Sequence, residues 1–153
     1  MPTRYSHTNI VAEDPERLAT FYTDVLDCPR AAERHLAGEW LARGMGLPGV
    51  ELHVIQVALP GLGEGGPTIE IFRMSELRPG TRSVQDRAGL MHMAFAVDDI
   101  RQSRDRLLAA GGEMLGEIAA AEVEGLGPVE FMYARDPEGN IVELQEFKAA
   151  PAP

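Results

Sequence analysis

Four side chains hold the chemistry this sequence could do. His7 and His92 each open an apolar stretch, and each stretch is followed by a glutamate inside an apolar run, Glu70 in TIEIF and Glu143 in IVELQEF. A carboxylate flanked by Ile69 and Ile71, or by Val142 and Leu144, is expensive to bury unless a cation or hydrogen-bond donors compensate it. Arg73 is the sole basic residue in either strand, so a metal ion is the economical compensator. Imidazole and carboxylate together suit Ni, Co, Zn, Fe or Mn, whereas an all-oxygen cage would suit Mg or Ca. Two His and two Glu leave two positions of an octahedron for water or substrate. Alone, a strand histidine is more often structural than a ligand, and an edge glutamate commonly faces solvent. The weight lies in finding the same pair at matching places in two copies.

The elements that must position these residues form a repeat, a βαβββ-type unit written twice. HTNIVAED precedes the helical segment PERLATFYTDVLDC, and HMAFAVDD precedes IRQSRDRLLAAGG. Asp14 and Asp99 stand where an N-cap carboxylate would accept backbone N–H bonds, and Pro15 suits the first helical position. Leu18, Phe21, Tyr22, Val25 and Leu26 recur at three- and four-residue spacing in the first helix, as do Ile100, Leu107 and Leu108 in the second. RAAERHLA predicts a short strand, and the glycine-rich GEWLARGMGLPG, which holds Trp40, a short helix or lid-like loop. VELHVIQVALP and PTIEIFRM read as a hairpin around GLGEGG. In the second copy the pattern predicts a strand over 90–97, a helix over about 99–110, a short strand near Glu113, a strand over 128–134, the turn DPEGN and a last strand over 141–147. Strand alternation puts His92 with Leu90, Ala94 and Ala96 on one face, leaving room in front of the imidazole, and Met91, Met93, Phe95 and Val97 on the face that can meet the helix.

The expected organisation is therefore a single α+β domain over 1–153. Its first module spans about 5–74, a polar linker 75–88, the second module about 89–147, and a frayed tail 148–153. With 44% hydrophobic and 25% charged residues, the chain has an ordinary soluble composition. No apolar run approaches a membrane span and no basic-then-apolar leader is visible, so neither a membrane nor secretion is expected. One cysteine, Cys28, excludes an internal disulfide framework and suits a reducing, cytoplasmic setting. The net charge of −10 argues against nucleic acid, because Arg73, Arg78, Arg82 and Arg87 form the only loose basic patch and no aromatics interleave it. That patch reads as a solvated linker or as an attractor for a small anionic substrate.

The opening SHTNIVAEDPERLATFYTDVL, the strand TIEIF, the mid-chain LMHMAFAVDDI and the closing DPEGNIVELQEF resemble the vicinal oxygen chelate superfamily over about residues 5–147. This superfamily includes glyoxalase I, methylmalonyl-CoA epimerase, extradiol dioxygenases, and fosfomycin and bleomycin resistance proteins. The resemblance implies paired βαβββ modules forming a cupped, partly closed mixed β-barrel, usually in a homodimer. It implies one divalent metal per chain (Ni, Co, Zn, Mn or Fe) on His7, Glu70, His92 and Glu143. His, Glu, His, Glu is the glyoxalase I pattern; epimerases similar in length carry Gln at the second position.

The activity implied is that of a lyase or isomerase acting on a small molecule, with proton transfer beside a metal-chelated carbonyl. Glu143 is the first choice of base, Glu70 its mirror-related alternative, and His53 in the preceding hairpin strand a supplement whose structural role is the competing reading. His35 reads as solvated. Two other classes stay open, a ring-cleaving dioxygenase, which Glu70 as a fourth ligand would crowd, and a non-catalytic binding or resistance protein, which needs no four ligands.

Overall fold

The computed structural model of the chain describes residues 3–78, 80 and 83–148; Arg82 of the basic patch and the tail from residue 149 lie outside them. The chain divides into two compact units, residues 1–80 and 81–153, and the division falls inside the polar linker. Among the described residues no helix is long and apolar enough to cross a membrane.

In the first unit, strand β1 (His7–Val11) leads into helix α1 (Pro15–Leu26), β2 (Arg30–Leu36), the short helix α2 (Glu39–Met45), β3 (Leu52–Ala58) and β4 (Thr68–Met74). The sheet order is β1-β4-β3-β2, with β1 parallel to β4 and the remaining pairs antiparallel. The Asp14 carboxylate accepts from Arg17 N at 3.0 Å and Pro15 starts the helix, so α1 begins where the capping residues require. Asp27 ends it in the left-handed region at φ 53°, a conformation that Asp tolerates better than most residues. Leu18, Ala19, Phe21, Tyr22, Val25 and Leu26 are buried along one stripe of α1, which packs on β3 and β4. Ile55, Val57, Ile69 and Ile71, all fully buried, answer it from one face of the sheet. Cys28 is buried just beyond the helix, and that burial, aided by the charge of Asp27, pushes its thiol up to about 12, far from the range of reactive thiolates.

The second unit repeats this topology with β5 (His92–Ala96), α3 (Ile100–Ala109), β6 (Glu113–Met114), β7 (Ala119–Val123), β8 (Gly127–Arg135) and β9 (Ile141–Phe147). Here β5 is parallel to β9, β9 is antiparallel to β8, and β8 carries both β6 and β7. Asp99 caps α3 through Arg101 N and Gln102 N, each at 2.9 Å. In each unit the sheet is open, with the histidine-bearing strand at one edge.

Three local features depart from the sequence expectation. Leu108 is 44% exposed while Leu107 is fully buried, so the apolar stripe of α3 is narrower than its leucines suggest. Strand β7 was not expected: Ala-Ala-Ala-Glu-Val has no alternation to detect, and all five residues are exposed at an edge of the sheet. The strand that His92 opens begins there rather than at Leu90, which is exposed.

The turn that aims β9 is built by Asp136. Its carboxylate accepts from Glu138 N and Asn140 N at 2.9 Å and from Asn140 Nδ2 at 2.8 Å, while Gly139 takes φ 91°. Buried Arg135 braces the turn through the Gly139 carbonyl at 2.9 Å. On the helix-facing side, Glu130 and Glu146 stand directly opposite each other on β8 and β9, a like-charge pair that would repel if left alone. Arg101 grips Glu130 with two bonds of 2.8 and 2.9 Å, Lys148 reaches both carboxylates, and Glu146 accepts the Ile100 amide at 3.0 Å.

The Arg101 and Lys148 hydrogen bonds hold the Glu130 carboxyl down at about 2. A folded pKa depressed below the unfolded value contributes stability that is present above about 4.5 and is lost as pH falls through about 2. Acid denaturation followed by circular dichroism should therefore show a weaker pH dependence between those values in Arg101→Ala than in the parent chain. Equal slopes would show that the ion pair contributes nothing.

Candidate metal centre

Strand parity decides which side chains share a face with each glutamate. On β4, Ile69 and Ile71 point at α1, so Glu70 points the other way, and its cross-strand neighbours are Asn9 on β1 and Gln56 on β3. His7, two residues before Asn9, lies on the same face, with Nε2 3.6 Å from the nearer Glu70 oxygen. The His7 Nδ1 is within 3.3 Å of the Ser6 hydroxyl, which leaves Nε2 as the nitrogen turned to the carboxylate. Gln56 donates its side-chain amide to the other Glu70 oxygen, and Arg34 on β2 donates to Gln56 Oε1 at 2.6 Å. A row of polar side chains thus runs across all four strands. Each member positions the next, so Gln56 and Arg34 orient the Glu70 carboxylate.

Beside this row the same face carries Leu52, Val54, Phe72 and Met74, covered by Leu41 and Met45 of α2 and by Val50. The glycine-rich segment expected to be a short helix or lid-like loop is α2, and it lays an apolar wall along the Glu70 face. A cleft of about 930 Å³ opens where residues 47–50 meet residues 74–78.

The second unit presents a corresponding pair. Val142 and Leu144 are fully buried on the α3 side, and Glu143 turns to the opposite face with Ala94 and Tyr133 directly across. His92 Nε2 stands 3.0 Å from a Glu143 oxygen. The His92 Nδ1 is buried and has no hydrogen-bond partner among the described residues, so Nε2 is again the nitrogen left for chemistry. The ring meets Tyr133 edge-on at 5.2 Å. Glu143 also accepts from Gln145 Nε2 at 3.0 Å and bonds the Tyr133 phenol. Burial pushes that phenol above its ordinary value, reinforced by the Glu143 charge and the hydrogen bond, so Tyr133 remains a proton-bearing donor at neutral pH.

The donor set of each unit fits a divalent metal. Two ligands about 2.1 Å from an ion and at right angles to it lie about 3 Å apart, and the two His–Glu separations of 3.0 and 3.6 Å are close to that. The glutamate side chains are only 10% and 15% exposed, and among the described residues no Lys or Arg pairs with either.

His53 is not brought to this set. The register pairs Gln56, three residues on, with Glu70, so His53 projects from the opposite face, bonds Glu33 at 2.7 Å and stacks on His35. The contacts of Gln56, Arg34 and Tyr133 had not been foreseen. Gln56 was visible as a polar residue within the apolar HVIQVA, but the nine-residue connection over 59–67 leaves its register against Glu70 undetermined until it is seen.

Comparison with known proteins bears on the family and the fold. Residues 4–144 match the Glyoxalase/Bleomycin resistance protein/Dioxygenase superfamily. The chain is 29% identical over 152 residues to an ethylmalonyl-CoA/methylmalonyl-CoA epimerase of Cereibacter sphaeroides, covering 94% of this chain and 97% of that one. It is 39% identical over 61 residues to a probable lactoylglutathione lyase of Vibrio parahaemolyticus, which covers 40% of this chain and 42% of the relative. A glyoxalase family protein from Bacillus cereus superposes with a TM-score of 0.82 at 22% identity over 95% of both chains. A fosfomycin resistance protein from Listeria monocytogenes, complexed with manganese(II) and sulfate, gives 0.56 at 16% identity, covering 97% of this chain and 96% of its own. At these identities the structural likeness speaks to the fold.

Proposed function

Since the chain belongs to the Glyoxalase/Bleomycin resistance protein/Dioxygenase superfamily, we propose that it is a metal-dependent lyase or isomerase that moves a proton at a carbon next to a carbonyl. One divalent metal per chain (Ni, Co, Zn, Mn or Fe) is assigned to His7, Glu70, His92 and Glu143. The observation that supports this reading is the duplicated pair, a histidine Nε2 turned to a half-buried or buried glutamate at equivalent places in both sheets. When bound, the ion supplies Lewis-acid polarisation of the substrate carbonyl, which makes the neighbouring C–H more acidic.

The proton is taken by a carboxylate, and the two glutamates are not equivalent. Glu70 is tied by Gln56, itself anchored by Arg34, so it is the better fixed ligand. Among the described residues Glu143 has, besides His92, only the neutral donors Gln145 Nε2 and the Tyr133 phenol, with no arginine behind them, so it is the carboxylate freer to turn to the substrate and hold the proton. Glu143 is therefore assigned as the base, with Glu70 as its alternative. The apolar wall of α2 and the cleft at 47–50 and 74–78 are assigned to substrate choice.

The epimerase relative aligns along almost the whole chain and the lyase relative along less than half, so an acyl thioester is the first substrate class to test. The experiment is solvent-deuterium exchange into 2-substituted malonyl thioesters, hemithioacetals and α-hydroxy carbonyl compounds, with Ni, Co, Mn or Zn supplied. Exchange into at least one class is expected. If none exchanges while a catechol consumes oxygen with Fe(II), a ring-cleaving dioxygenase replaces this reading.

A homodimer is the proposed assembly. Light scattering should then give about twice the chain mass of 16.7 kDa, and a mass of one chain at working concentration would refute it.

A further inference from the structure

A second group of metal-ligating side chains stands apart from the duplicated pairs. On β2, Glu33 and His35 are two residues apart and so share a face; on β3, His53 is the direct cross-strand partner of His35. His53 Nε2 is 2.7 Å from Glu33 Oε1, the two imidazoles stack with centroids 4.5 Å apart and planes within 6°, and one ligand atom from each of the three residues lies within 4.8 Å of the others. We propose that Glu33, His35 and His53 form a second divalent-cation site, a cross-strand clamp for Zn²⁺ or a similar borderline ion.

The chemistry favours such an ion. Two imidazoles and one carboxylate are the three-protein-ligand set of open zinc sites, with a fourth position left to water. Hard cations that want only oxygen are poorly served by it. His35 has no hydrogen-bond partner among the described residues, so nothing competes for its ring nitrogens, and its exposed ring turns into coordination without disturbing the core. Arg73 lies opposite His53 on β4, but its guanidinium donates to the Glu13 carbonyl. His35 and His53 line a cleft of about 370 Å³, where Glu51 adds negative charge on a chain whose net charge of −10 already draws cations.

The clamp has a structural consequence. β2 is the edge of its sheet, held by β3 alone, and carries a register irregularity between Arg30 and Ala32. An ion bridging His35 and His53 fixes the register of that edge at its far end. Because strand parity puts this cluster on the face opposite Glu70, the two sites bind independently.

The test is zinc stoichiometry and calorimetric titration on chelator-stripped protein. The parent chain is expected to take up two equivalents of Zn²⁺. His35→Ala and Glu33→Gln should each lose one, whereas a His7→Ala/His92→Ala variant should keep one. In that last variant, the ring-proton NMR signals of His35 and His53 should move with zinc. Stoichiometry and affinity unchanged by His35→Ala and Glu33→Gln would overturn the clamp, as would failure of the His7→Ala/His92→Ala variant to bind zinc at all. One equivalent in the parent, abolished by His35→Ala alone, would keep the clamp and remove zinc from the metals of the four-residue centre, whose own test is the Mn²⁺ or Co²⁺ titration, so the two assignments fail separately.

Discussion

His92→Ala is expected to strip the metal from the four-residue centre while leaving the fold in place. The imidazole is one of four proposed ligands, and its loss should weaken binding by more than the roughly 10–100-fold that removing an outer-shell partner of a ligand costs. The fold should tolerate the change, because the neighbouring Ala94 and Ala96 on that face of β5 are exposed and small. The substitution also removes a buried Nδ1 that has no hydrogen-bond partner among the described residues, and deleting an unsatisfied polar atom offsets part of any packing lost. His7→Ala should behave alike, since that side chain is 42% exposed on an edge strand. Calorimetric titration of Mn²⁺ or Co²⁺, with the melting temperature of the metal-free proteins as control, checks both. Unchanged affinity in either variant would exclude that histidine from the centre.

How much of this was legible beforehand follows from the length scale of each signal. Local rules sufficed for α1 and α3: Asp14 with Pro15, and Asp99, mark starts that the caps then confirm. The βαβββ repeat was legible because each copy begins with a histidine strand and ends with a glutamate strand. Period-two alternation also put the small residues of β5 on the His92 face, with buried Phe95 behind them. Strand β7 failed the same rule, because all five of its residues are exposed along an edge pairing with β8 and leave no alternation to read.

What the sequence could not supply is register. His53 looked close to Glu70 because both lie in one hairpin, yet a shift of a single residue in pairing exchanges the faces. The observed register places Gln56, not His53, beside the carboxylate. The same uncertainty hid the cross-strand meeting of His35 and His53 and the bond from Tyr133 to Glu143. Residues that act singly were readable by type, whereas residues that act through a neighbour on another strand needed the sheet.

Glu143→Gln is expected to abolish proton transfer while keeping metal. The amide oxygen remains a possible ligand and the side chain is isosteric, so binding should fall far less than in His92→Ala, but an amide cannot accept a proton from carbon. Loss of a positioned general base costs about 10²–10⁴-fold, and kcat should fall with KM little changed, since the group acts on the reacting proton rather than on substrate binding. The asymmetry of the two carboxylates predicts the counterpart. Glu70→Gln, whose site already has the Gln56–Arg34 anchor to accommodate an amide, should weaken metal binding more than it slows the loaded enzyme. Deuterium exchange per bound metal separates the two effects. If Glu143→Gln exchanges at the parent rate and Glu70→Gln does not, the base belongs to the first unit and the assignment of the two glutamates is reversed.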